Sequence, residues 1–281
     1  MVNGNGGLPK VVVTSANCNG EVYLHGGHVT SWIPRSGREV LYVSPNSLWQ
    51  NGRAIRGGVP VCFPWFGDKA DDPKAPAHGF VRTKMWELQG IETIGNDVAV
   101  SLSTKADADS RSWWPHEFGL VCRATFGSNL RIELIVSNED ATQFAFEEAL
   151  HAYFRVGDVE AVAIQGLDET RYIDKVDHRI EKTQSGELRI SAETDRVYLA
   201  TQHKIEAVDS ASHCRIVIEK QASDSTVVWN PWEQKSATMS DLGAGEWKNF
   251  VCVETSNVGT STVQLASGQR HSMAAVIHIE P

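Results

Sequence analysis

Alternate residues of Leu130-Arg131-Ile132-Glu133-Leu134-Ile135-Val136 are apolar, while Arg131 and Glu133 point the other way. That period of two marks a strand with one face in a core and the other toward solvent. Val98 to Leu102, Cys214 to Ile218 and Met273 to Ile279 repeat it, and turn residues separate such runs, as in Ile94-Gly95-Asn96-Asp97 and Phe126-Gly127-Ser128-Asn129. Many short strands with frequent turns predict an all-β sandwich or barrel with few short helices. A helical turn is expected within Arg179 to Leu188, although Gly186 disfavours it. There is no internal repeat, low-complexity segment or charge block, so one domain over residues 1–281 is the simplest organisation. Asp68 to Pro76 reads as a polar loop, of the kind that either carries binding residues or merely connects.

Composition narrows the function classes. A net charge of −9 argues against non-specific nucleic-acid binding, which needs a basic footprint. No apolar run approaches the roughly 20 residues of a membrane span, and the amino terminus has no apolar core of a signal peptide. The five cysteines are scattered and include no CxxC pair, which argues against a disulfide framework or zinc site and for a reducing compartment. The expectation is a cytoplasmic protein acting as a monomer. An anionic ligand would meet a repulsive general field, which local arginines can overcome at contact distance.

Several signals carry no chemistry. Gly4-Asn5-Gly6-Gly7 lacks the strand, helix and GK[ST] element of a phosphate loop, and no GxSxG elbow is present. His25 and His28 lie in a strand-like segment where that spacing turns them to opposite sides, so no shared metal is expected.

Four segments remain. In Arg56-Gly57-Gly58-Val59-Pro60, with Phe63-Pro64 beyond, the glycines allow a tight turn and the prolines stiffen the chain after it. Arg56 is then either held for a bidentate grip on an oxyanion or is a solvated residue before a turn. If Ala77-His78-Gly79-Phe80-Val81-Arg82 is extended, His78, Phe80 and Arg82 share one face, placing a histidine and a cation beside an aromatic. His151 sits in the apolar run Glu148-Ala149-Leu150-His151-Ala152-Tyr153-Phe154, where a core histidine is the plain alternative; burial there would lower its pKa and a nearby carboxylate would raise it. Glu254 follows Phe250-Val251-Cys252-Val253, and a charge in such a run needs a cation, donors or a ligand hydroxyl.

In this order, with Trp114-Pro115-His116, Thr194-Asp195-Arg196-Val197-Tyr198 and Val228-Trp229-Asn230-Pro231-Trp232, these segments resemble the glucose-6-phosphate 1-epimerase family within the aldose 1-epimerase superfamily. The resemblance implies a β-sandwich of the galactose-mutarotase type (a supersandwich) with the sugar on an open sheet face. It carries the catalytic acid onto His151, the base onto Glu254, and substrate binding onto Arg56, His78, Arg82 and Asp195. It implies a hexose 6-phosphate as substrate, no cofactor and no metal. Thr255-Ser256 departs from the small residue or proline expected after the glutamate. The residue types suit the reaction, since ring opening needs one base at O1 and one acid at O5. An imidazole near pH ~6.5 and a carboxylate supply both. The competing readings are an aldose 1-epimerase for free sugars and a non-catalytic carbohydrate-binding β-sandwich.

Overall fold

In Phe118–Phe126 and Leu130–Asn138 every second residue is buried and its neighbours are only partly covered, so each strand lays one face on a core. The computed structural model describes residues 1–35 and 37–280. These two strands belong to a nine-stranded antiparallel sheet whose centre is Arg270–Glu280 flanked by Cys214–Gln221 and Leu130–Asn138. Its outer members run through Phe118–Phe126 and Asp97–Lys105 to Glu87–Ile94 on one side, and through Ile205–Asp209 and Val162–Gln165 to Leu188–Arg189 on the other. The expected period-two strands all lie here.

A second, eight-stranded sheet carries Asp195 and Glu254, with His151 between two of its strands. Its order runs from Ile180–Thr183 through Arg171–Asp174, Thr194–Leu199, Ser225–Asn230 and Phe250–Asn257 to Glu148–Leu150 and Val61–Cys62, with Tyr153–Arg155 also paired to Phe250–Asn257. Phe250–Asn257 is buried at every residue, as a strand covered on both faces must be. One apolar cluster draws on both sheets, joining Val228, Val251 and Val253 to Leu134, Ile218 and Ile277. Truncating a side chain as enclosed as Leu134 would cost about 2–5 kcal/mol. A four-stranded sheet, Val2–Asn3 to His28–Pro34, flanks this core.

Among the described residues α-helix is confined to Ala108–Trp113 and Trp232–Ser236, and none is long and apolar enough to cross a membrane. The helical turn expected within Arg179 to Leu188 is not formed. Ile180–Thr183 is instead an edge strand, exposed at three of its four residues, so no buried face impressed a period on its sequence.

Candidate active site

Glu148–Leu150 and Tyr153–Arg155 both run antiparallel to Phe250–Asn257, Leu150 opposite Thr255 and Tyr153 opposite Cys252. The register carries unchanged across the interval, so His151 faces Glu254. The ladder lapses there because the His151 N–H donates to the Pro60 carbonyl at 3.0 Å instead. His151 Nε2 lies 3.3 Å from Glu254 Oε1, with the residues only 6% and 1% exposed. Neither Glu254 oxygen nor His151 Nδ1 has a hydrogen-bond partner among the described residues. Buried acceptors without donors are costly, and such orphans gather where a ligand completes the set.

Burial, then the charges of Arg82 and Arg56, hold the His151 imidazole well below its ordinary pKa. Burial, then Asp195, hold Glu254 well above the usual carboxylate range. The expectation of an imidazole titrating near its ordinary value is thereby corrected. Both shifts favour the neutral forms, and the neutral pair contains the same single proton as an imidazolium beside a carboxylate. The opposed shifts therefore widen the pH range over which the pair holds one proton, whichever residue carries it.

These two residues lie at the base of a cavity of about 250 Å³ that also meets Arg56, His78, Arg82 and Asp195. Arg56 is gripped on three sides. Its Nε and Nη2 reach Asp241 Oδ2 at 3.1 and 2.9 Å, and its Nη1 donates to the Tyr153 hydroxyl at 3.0 Å. Its loop needs glycine: Gly57 and Gly58 have φ of 111° and 62°, and a Cβ would strike the Tyr42 and Val29 carbonyls. Arg82 Nη2 donates to the Ala77 carbonyl at 2.8 Å, while its buried Nε has no partner. The other cations of the cavity are spoken for, Arg56 by Asp241, Lys175 by Asp195 at 3.2 Å and Lys235 by Glu193 at 2.7 Å. Among the described residues Arg82 has no carboxylate partner.

His78 reaches the cavity by a different backbone from the extended one expected. Its own φ is 64°, Gly79 follows at 74°, and Val81–Thr83 form a turn of 3₁₀-helix. That path sends His78 and Arg82 into the cavity and Phe80 into the core. His78 Nδ1 accepts from the Gly67 N–H at 3.3 Å, which leaves its Nε2 as the donor. Burial first, then Arg82, keep this ring well below its ordinary pKa and so neutral.

The sequence model of the aldose 1-epimerase family matches residues 9–278. The chain belongs to that family. A protein of Escherichia coli (strain K12) named "Putative glucose-6-phosphate 1-epimerase" is 37% identical over 249 residues, spanning 88% of this chain and 83% of its own. A Cenchrus ciliaris protein of the same name is 34% identical over 275 residues, spanning 92% of this chain and 81% of its own. The crystal structure of a "putative mutarotase (YeaD)" from Salmonella typhimurium superposes with a TM-score of 0.91 at 34% identity, covering 97% of this chain and 90% of that one. A galactose mutarotase-like protein from Lactobacillus casei shares the fold with a TM-score of 0.77 at 13% identity, over 97% of this chain and 100% of that one. The all-β galactose-mutarotase-like class is therefore that of this epimerase.

All six candidate residues of this aldose 1-epimerase family member converge on one cavity, and they bring neighbours that the sequence did not single out. Tyr153 stacks on His151, Asp241 clamps Arg56, and Lys175 pairs with Asp195. The period-two spacing of His151 and Tyr153 was a usable signal for the first of these. The histidine pair His25 and His28 acts on the same loop. Their Nε2 atoms bond the carbonyls of Arg53 and Gly57, each at 2.7 Å, on either side of Arg56. Glu147 likewise pins two loops, accepting from Phe66 N–H at 2.8 Å and Gly259 N–H at 2.7 Å.

Proposed function

We propose that this epimerase interconverts the α and β anomers of a hexose 6-phosphate, glucose 6-phosphate in the first instance, with Glu254 as general base and His151 as general acid. The observation that carries this reading is the buried His151–Glu254 pair, 3.3 Å apart, at the base of a cavity where Arg82 keeps a donor unspent.

The order of charges along the cavity supports the division of roles. In a pyranose 6-phosphate the edge C6–C5–O5–C1–C2 has the phosphate at one end and C2 at the other. Arg82 and Arg56 are the leading charges on His151 and Asp195 the leading charge on Glu254, and Arg56 and Arg82 also line a neighbouring space that Lys175 and Asp195 do not. A phosphate drawn to the arginine end brings O5 to His151 and O1 to Glu254. Arg82 is the principal phosphate anchor, Arg56 a clamped second one, and neutral His78 donates to a ring hydroxyl. Asp195 with Lys175 borders the O1 end.

The phosphate also sets the proton. Its charge of about −1.5 to −2 offsets the arginine field that disfavours imidazolium, so the pair's proton passes to His151. Glu254 then removes the O1 proton, His151 delivers its own to O5, and the C1–O5 bond opens to the aldehyde. Rotation about C1–C2 presents the other face, and closure reverses both transfers, restoring imidazolium and carboxylate. Each positioned acid or base contributes about 10²–10⁴-fold. No step on this path calls for a metal or cofactor.

The reading treats the chain as one domain, a monomer, in the cytoplasm. Apolar contacts run without interruption from Val11 to Ile277, and all the cysteines are free. Anomer exchange of glucose 6-phosphate followed by NMR, with free glucose and galactose in parallel, tests the substrate. The phosphorylated sugar should be the one accelerated most, and equal or greater acceleration of a free sugar would contradict the choice.

A further inference from the structure

A second, larger space of about 410 Å³ adjoins the catalytic cavity along Phe66, Ala77, His78 and Lys175, which line both. Its floor is the apolar cluster of Val197, Leu199 and Val258, with Phe66 and Ile173 packed against it. Its rim is polar, with Asp68, Lys175, Arg179 and Thr260. Arg179 is set there by a strained hairpin in which His178 and Arg179 have φ of 49° and 59°. The arginine end opens differently, into a space bordered by Arg53, Arg56 and Arg82. The cavity that holds His151 and Glu254 therefore adjoins both a cationic mouth and an apolar groove with a polar rim.

This inference rests on the hexose 6-phosphate reading. With the phosphate at the arginines and the C5–O5–C1 edge against His151 and Glu254, the substituent on C2 is directed at the groove. A hydroxyl needs neither that volume nor an apolar floor. We infer that the groove admits an amide substituent at C2, making 2-acetamido-2-deoxyhexose 6-phosphates substrates alongside the plain hexose phosphates. The acetyl methyl rests on the apolar floor, and the amide oxygen and N–H face the charged rim and water. The reaction is unchanged, because C2 keeps its configuration and only O1, O5 and their protons take part.

The test measures kcat/KM for anomer exchange of glucose 6-phosphate and of N-acetylglucosamine 6-phosphate, with the wild type and with Thr260→Trp and Ile173→Trp. Both positions line the groove and neither lines the catalytic cavity. The wild type should exchange the two sugars within about tenfold of each other, and the groove-filling variants should cost the acetamido sugar about tenfold or more, chiefly in KM, with glucose 6-phosphate within about twofold. Exchange of glucose 6-phosphate alone by the wild type would overturn the groove's assignment while leaving the reaction intact. Equal effects of the variants on both sugars, or none on either, would overturn it as well. Failure to exchange either sugar would instead overturn the underlying reading.

Discussion

Tyr153 lies flat against His151, with 4.9 Å between ring centroids and 12° between planes, and its hydroxyl accepts from Arg56 at 3.0 Å. One buried side chain thus touches both His151 and an arginine of the cavity. Tyr153→Phe keeps the stack and loses the arginine link, so its effect should fall on KM for the phosphorylated sugar. Tyr153→Leu removes the stack too and should lower kcat. Steady-state kinetics of the two variants, with circular dichroism to verify folding, separate the roles. Identical kcat and KM effects would show that the stack does not orient the imidazole.

The two arginines should differ in kind. Arg82→Ala removes the unspent donor, and losing a hydrogen bond to a charged group costs about 1.5–3 kcal/mol, or roughly ten- to a hundredfold in kcat/KM for the phosphorylated sugar. A free aldose should lose little. Asp241→Asn should loosen Arg56 and cost less than Arg82→Ala, since it leaves the guanidinium in place. Equal losses for phosphorylated and free sugars in Arg82→Ala would mean that this arginine binds the ring.

The single shared proton fixes the pH profile. A second proton inactivates the base, and the depression of His151 below 6.5 puts that acid limb below 6.5. Losing the last proton inactivates the acid, and the elevation of Glu254 above 4.5 moves that limb upward. After correction for the phosphate ionisation near about pH 6, the acid limb of kcat/KM should lie below 6.5 and the basic limb should shift downward in Asp195→Asn, which removes the charge that raises Glu254. An acid limb with its midpoint above 6.5 would contradict the pair's assignment.

Away from the site, His271 Nε2 lies 2.7 Å from the fully buried Glu148, which also accepts from Asn257 at 2.9 Å. The Glu148 hydrogen bond, against opposing burial, raises the His271 pKa above 6.5. A histidine raised on folding stabilises fully below its unfolded pKa and loses that contribution as pH rises through the folded value. His271→Ala should therefore be less stable than the wild type near about pH 6, and the gap should narrow toward about pH 8. Thermal denaturation across that range checks this, and a gap that widens with pH would refute it.

Four strands of the nine-stranded sheet were legible in the sequence, most plainly Leu130–Asn138, where burial on one face imprints a period of two. Ile180–Thr183 was not, because an exposed edge strand carries no such imprint. The path through His78 was misread for a local reason: left-handed backbone at His78 and Gly79 breaks the extended run. The candidate residues were legible as ordered motifs, but their partners depended on distant chain. Asp241 meets Arg56 from 185 positions away, and Lys175 follows Asp174 as an ordinary surface residue would until the sheet sets it against Asp195. The pairing of His151 with Glu254 needed the strand register, which no local pattern supplies.

The most direct test of proton transfer between this pair and the sugar is NMR exchange between the α and β anomers of glucose 6-phosphate, with the wild type, His151→Ala and Glu254→Gln at equal folded concentration. The wild type should accelerate exchange far above the buffer rate, and each variant should lose about 10²–10⁴-fold of that acceleration. Wild-type rates equal to buffer, or full acceleration by either variant, would contradict it.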